Sequence, residues 1–200
     1  MSKQFIVTIG RQYGSGGHEI AEKIAEKMNV KIYDRNMLDE IANEKQVEAG
    51  EMKKFDEKRR GCFGSRRVRG HSNSMQDHIA HMQFEYIEKK AGEGESFVVV
   101  GRCAEHVLKE HDRTVNIFIL GDDDVKKERI MTLRNFTEQE AEQAMHRHDN
   151  SRKAYHNSHT LSKWGDSRTY DLCVNSSRLG IDGTVDFLID YIQRRIDKMD

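Results

Sequence analysis

The run Phe5-Ile6-Val7-Thr8-Ile9, followed at once by Gly10-Arg11-Gln12-Tyr13-Gly14-Ser15-Gly16-Gly17-His18, constrains the fold more than any other part of the chain. Its first five residues are short, apolar and mostly β-branched, the pattern of a strand buried on both faces of a parallel sheet. From His18 to Met28 the residues Ile20, Ala21, Ile24, Ala25 and Met28 recur at helical spacing, with Glu and Lys between them. A strand must therefore pass into a helix through Gly14-Ser15-Gly16-Gly17. Glycines let the backbone fold back until successive N–H groups face one point. The uncovered N–H groups and positive end of the helix add to that field. A phosphate fits there. A tight strand–helix turn also uses glycine for its geometry, but three glycines in four residues are more than a turn requires.

The rest of the chain repeats the strand–helix alternation. Lys31–Tyr33, Phe97–Val100, Val115–Leu120 and Tyr170–Asn175 read as strands. Helical patterns cover Asn36 to about Lys54, Ser74–Ala91, Cys103–His111, Asp123–Leu133 and Gly183–Met199. Thr137-Glu138-Gln139-Glu140 has the form of a capping box and opens a helix through about Tyr155. Between Lys58 and Asn73 periodicity gives way to Gly, Ser and Arg, which predicts a loop that orders on ligand binding. The expected architecture is an α/β fold, a three-layer parallel sheet with helices on both faces. Two hundred residues with no long linker suit a single domain over residues 1–200.

The glycine loop departs from two known patterns. The dinucleotide fingerprint fails because Glu19 stands where its third glycine belongs. The nucleotide-phosphate pattern ending in Gly-Lys-Ser/Thr fails as well. Gly17 occupies the lysine position, and His18-Glu19 stands where the Mg²⁺-holding hydroxyl belongs. Positive charge must come from elsewhere, and Arg11 within the loop and His18 at the helix start are the local candidates. A plain surface position on the first helical turn is the other reading of His18.

Composition narrows the partners. The formal net charge of -1 gives no global attraction to nucleic acid or to an anionic membrane. A local basic stretch from Lys53 to Arg69 has only Phe55 and Phe63 for base stacking, so a nucleotide anion is its expected partner. No apolar run approaches the roughly 18 residues that span a bilayer. Three widely spaced cysteines, Cys62, Cys103 and Cys173, suggest neither a disulfide framework nor a zinc site. With no signal peptide visible at the N-terminus, a cytoplasmic location is expected. His146, His148, His156 and His159 lack metal-ligand spacing and read as surface histidines, so no metal-ligating set is assigned.

Taken in order, Ile6–Gly17, Tyr33-Asp34, Val98–Cys103, Arg147–Tyr155, Lys163–Asp166 and Tyr170–Ile181 resemble the cytidylate-kinase-like family. This is a branch of the P-loop nucleoside monophosphate kinases, and the resemblance runs from residue 5 to about 192. It implies a P-loop NTPase-like core with helical insertions: an acceptor-binding region over about 34–92 and a lid over about 134–165. It further implies ATP with Mg²⁺ as cofactor and a small nucleotide, CMP or dCMP, as acceptor. Gly14, Ser15, Gly16, Gly17, His18 and Glu19 would hold the donor phosphates. Arg102 would meet the acceptor, although Cys103 replaces the aspartate of the family's Gly-Arg-Asp. Asp34 would contact the ribose or a cation, and Asn175-Ser176-Ser177 would lie near the donor adenine.

The lid has a physical reading of its own. Arg129, Arg134, Arg147 and Arg152 fall on two helical segments joined near Asn135-Phe136, and forked guanidiniums stabilise a transferring phosphoryl group. Asp149, three residues before Arg152, shares its helix face and can orient it. An ordinary solvated face with intrahelical ion pairs is the alternative. Two other functions remain open for the chain: a phosphate- or nucleotide-binding protein without turnover, and a kinase for a non-nucleotide acceptor.

Overall fold

The computed structural model describes residues 3–34, 36–45, 67–68, 71–72 and 75–199. In chain order these form β1 (Ile6–Arg11), α1 (Gly17–Lys27), β2 (Lys31–Tyr33), α2 (Met37–Lys45), β3 (Arg67–Val68) and β4 (His71–Ser72). There follow α3 (Met75–Gly92), β5 (Phe97–Val100), α4 (Ala104–Val107), β6 (Thr114–Leu120), α5 (Asp123–Arg134) and α6 (Glu138–His159). A 3-10 turn at Ser167–Thr169, β7 (Leu172–Asn175) and α7 (Gly180–Asp197) complete the fold. The sheet order is β2-β5-β1-β6-β7, and every pairing is parallel. β1 lies at the centre, with Ile6 opposite Phe97 on one side and Thr114 on the other.

That central place explains the apolar β1 sequence, because both of its edges and both of its faces are covered. Alternation divides the core in two. Ile6 joins Tyr33, Leu38, Ile41, Ile79 and Phe97 under α2 and α3. Val7 and Ile9 join Ile20, Ile24, Val98, Ile117, Val185 and Leu188 under α1 and α7. Ile20 and Ile24 are fully buried, and each such side chain contributes about 1.5–3 kcal/mol. This docking fixes where the N-terminus of α1 points.

Several elements differ from their sequence expectations. The segment read as a loop carries the antiparallel β3–β4 ladder, pairing Arg67 with Ser72 and Val68 with His71. Two-residue strands are too short to show a periodicity. α4 is one turn rather than the expected Cys103–His111, and α6 runs on to His159. The basic stretch from Lys53 to Arg66, and Arg69, lie outside the described residues.

The α5–α6 pair is built as the sequence predicts. Asn135 ends α5 in a left-handed conformation. Thr137 caps α6: its backbone N–H donates to Glu140 Oε2 at 2.8 Å, and Glu140 N–H donates to its hydroxyl at 3.3 Å. Lys127 on α5 reaches Glu138 at 2.5 Å and Glu142 at 3.2 Å, tying the two helices together.

Candidate active site

The glycine loop leaves β1 at the C-terminal edge of the sheet. Gly14 and Gly16 have φ of +85° and +74°, a conformation that a Cβ disfavours. Gly16 is the N-cap of α1 and has no side chain to cap it; apart from a long contact of the Gly17 N–H with the Ser15 hydroxyl at 3.4 Å, the first-turn N–H groups keep their capacity to bind an anion. The loop is fastened from within. Ser15 hydroxyl donates to Gln12 O at 2.9 Å, and the buried Ser176 hydroxyl donates to Ser15 O at 2.6 Å. Ser177 accepts from Asp122 N–H, and Asn175 donates to the Asp122 carboxylate. The β7 turn therefore braces the loop and its neighbour β6.

Gly17 has a different reason to be glycine. A Cβ there would lie 2.6 Å from Arg11 Cβ and 3.1 Å from Arg11 Cγ. The Arg11 side chain runs past Gly17 and ends against Gly101, where a Cβ would collide with Nη1. The Arg11 side chain thus fills the space beside the start of α1.

Three arginines line one cavity at the mouth of this loop: Arg11, Arg102 and Arg152. Arg102 is 3% exposed. It is aimed inward by three successive left-handed residues, Gly101, Arg102 and Cys103, with φ of 75°, 61° and 53°. Non-glycine residues in that region cost of order 1–3 kcal/mol each and cluster at functional sites. Arg152 comes from α6, donating to Arg11 O at 3.2 Å with its guanidinium over the Tyr13 ring at 5.7 Å. Trp164 and Tyr170 close the cavity, and both pack on Phe118. Burial, with the Glu105 carboxylate nearby, pushes the Tyr170 hydroxyl above its ordinary range. The space between these side chains is about 30 Å³, room for one or two waters. Entry of a larger molecule therefore requires α6 to lift.

α6 rests on the loop. His148 stacks on Tyr13 with ring centroids 4.2 Å apart, and Asp149 accepts the Tyr13 N–H at 2.7 Å. Asp149 lies 3.8 Å from Arg152, as their spacing predicts. Burial pushes the Asp149 carboxyl up from its ordinary value, against the Tyr13 N–H and the charges of Arg152, Lys126 and Arg11. A carboxyl raised by folding favours the folded state while protonated, and that contribution is lost as pH rises through its titration. Asp149→Asn keeps an acceptor for Tyr13 without the charge. The variant is expected to be more stable than the parent at neutral pH, with the difference vanishing below the ordinary carboxyl range near about 4. Thermal melts across that pH range check it; a gap that widens on acidification has the wrong sign.

His18 turns away from the loop, 3.5 Å from Asp34 Oδ2 and 3.3 Å from Glu22. Asp34 Oδ1 accepts the Asn36 N–H at 2.8 Å, leading the chain into α2. Glu19 pairs with Arg129, whose guanidinium lies beside Gly16. Arg134 and Arg147 are exposed and line neither the arginine cavity nor the cleft between α5 and α6. The surface reading of the histidines is corrected, because only His146 of the four is exposed. His148 is held by Tyr13, His156 is buried against Glu105 at 2.6 Å, and His159 lies 3.7 Å from Asp77.

Two residues escape a reading of the sequence. Lys126 is buried, with Nζ 3.1 Å from Gln12 Oε1 in the loop and 2.8 Å from Asp123. Its Cβ packs where a side chain on Gly14 would go. Glu105 is buried at the arginine cavity. A cleft of about 410 Å³ opens beside Lys126, but Asp123, Asp124, Glu142 and Asp149 make its wall acidic and unsuited to a polyphosphate.

The cytidylate kinase-like family profile matches residues 6–178. No curated protein matches the chain. A solved structure of an uncharacterized protein from Eubacterium ventriosum is 39% identical, with a TM-score of 0.75 over 95% of this chain and 99% of that one. The shikimate kinase of Bacteroides thetaiotaomicron shares the fold at 14% identity, with a TM-score of 0.54 over 94% and 98%. That of Aquifex aeolicus does so at 11%, with 0.51 over 98% and 100%. The helix-flanked parallel sheet is thus a P-loop-type α/β fold, and the chain belongs to the cytidylate kinase-like family.

Proposed function

We propose that this protein transfers the γ-phosphoryl group of ATP to a nucleoside monophosphate, with CMP and dCMP the leading acceptors. The observation that carries the reading is the convergence of Arg11, Arg102 and Arg152 on one cavity beside the glycine loop. Donor phosphates bind along Gly14–Gly17 and the first turn of α1, with Arg129 and Lys126 adding positive charge at the loop's edge. The acceptor phosphate lies between the three guanidiniums. It is already an anion, so transfer needs positioning and charge neutralisation and no strong base. Arg152 arrives with α6, which gives the α5–α6 pair the role of a lid. Arg134 and Arg147 would act only after a larger movement of that pair.

Magnesium fits as an ion carried by the nucleotide, since Mg²⁺ is commonly held by phosphates, waters and one or two carboxylates. Among the described residues no three ligating side chains form a cluster. Asp149 is a carboxylate adjoining the loop through the Tyr13 N–H, and Asp34 follows β2 beside His18. When bound, the ion neutralises charge on the β- and γ-phosphates.

A second reading, a non-nucleotide acid as acceptor, draws on the narrowness of the cavity and on the fold shared with shikimate kinases. Coupled ADP release with Mg-ATP separates the two, using CMP, dCMP, UMP, AMP, GMP and shikimate. Stimulation by CMP or dCMP is the expected result. Turnover of shikimate alone moves the protein to the second reading. ATP binding with no stimulated turnover reduces it to a binding protein.

A further inference from the structure

Phosphoryl transfer between two phosphates has no use for Glu105 and His156, yet both belong to the arginine cavity. Their side chains are 4% and 5% exposed, and His156 Nε2 lies 2.6 Å from Glu105 Oε1. The other ring nitrogen, Nδ1, lies 3.2 Å from the Thr160 hydroxyl and 3.3 Å from Asn157 Oδ1. The imidazole is therefore held at both ends by α6 and its C-cap, and it holds one carboxylate oxygen of α4. Taking a carboxylate out of water is costly, and a clasp between two helices does not require one at a substrate cavity.

An ionised carboxylate only accepts hydrogen bonds. It repels an acceptor phosphate, which the guanidiniums attract. The cavity is thus bipolar. The part of the acceptor that faces Glu105 must be a hydrogen-bond donor close to the phosphate. On a nucleoside monophosphate the nearest such donors are the sugar hydroxyls, while the amino group of the base lies farther out. We propose that Glu105, oriented by His156, accepts a hydrogen bond from a sugar hydroxyl of the acceptor nucleotide and makes the cavity select for that hydroxyl. This rests on the nucleoside monophosphate reading. His156 arrives with α6, so it is a positioning residue that sets the carboxylate as the α5–α6 pair closes.

The test compares kcat/KM for CMP, dCMP and 2′,3′-dideoxy-CMP in the parent, Glu105→Gln, Glu105→Asp and His156→Gln. The parent is expected to favour a hydroxylated acceptor over the dideoxy compound by roughly 10- to 100-fold, the worth of a hydrogen bond to a charged group. Glu105→Gln is expected to shrink that ratio to a few-fold, by raising KM for the hydroxylated acceptor while kcat changes less. His156→Gln shrinks it in part. If Glu105→Gln does not fold, Glu105→Asp, which keeps the charge but withdraws it, is read in its place. Equal losses on all three acceptors, with the ratio unchanged, mean that the pair is only a clasp and overturn the proposal. No turnover of any nucleoside monophosphate by the parent overturns the acceptor reading itself.

Discussion

Gly17→Lys, which restores the lysine of the common nucleotide-binding loop, is expected to abolish turnover. A side chain at position 17 begins 2.6 Å from Arg11 Cβ and 3.2 Å from Ile119 Cβ. Neither atom belongs to the far end of a flexible chain, so the start of α1 must shift. The shift spoils the row of N–H groups that binds phosphate. Arg11→Ala alone is expected to lower kcat by about 10²- to 10³-fold, the usual loss for one donor aimed at transition-state charge, with a smaller change in ATP affinity. The decisive variant is the exchange, Arg11→Gly with Gly17→Lys. It vacates the clashing Cβ and returns a cation to the same space, so it should recover at least tenfold over Arg11→Ala at a rough estimate. Steady-state kinetics and ATP titration of the three variants check this. Parental turnover in Gly17→Lys, or an exchange no better than Arg11→Ala, shows that Arg11 does not stand in for the lysine.

Arg102→Lys is expected to reduce kcat/KM for the acceptor by about 10²-fold or more, although the charge is kept. Arginine offers a rigid fork of donors, and the left-handed run Gly101–Cys103 aims that fork into the cavity. An ammonium on a flexible stem matches neither the geometry nor the reach. ATP affinity, measured by titration without acceptor, should stay within about threefold, well below the cost of a lost charged hydrogen bond. A parallel loss of ATP affinity assigns Arg102 to the donor phosphates and leaves the acceptor to Arg152 and Arg11.

The parts of this site that were legible in the sequence are those whose signals are local. The β1–loop–α1 unit joins two periodicities across a few glycines, and Thr137 with Glu140 spells out a helix start. Asp149 and Arg152 needed only helical spacing to be paired. What was not legible depends on distant partners. Lys126 and Lys127 are indistinguishable as neighbours in sequence. One has a side chain 4% exposed beside Gln12, and the other is 20% exposed between Glu138 and Glu142. His156 reads as a surface residue until Glu105, 51 positions earlier, is brought against it. Gly17 reads as a missing lysine until the path of Arg11 shows that a side chain there would collide with it.

Trp164 is the chain's single tryptophan, and it forms part of the wall of the arginine cavity, edge-on to Phe118 with ring centroids 5.3 Å apart. All indole emission from this protein therefore originates at one place. An acceptor that displaces water there, or a movement of α6 that lets water in, changes the polarity around one chromophore and no other. The molecule carries its own optical reporter of the surroundings of that cavity, with no label and no added aromatic residue.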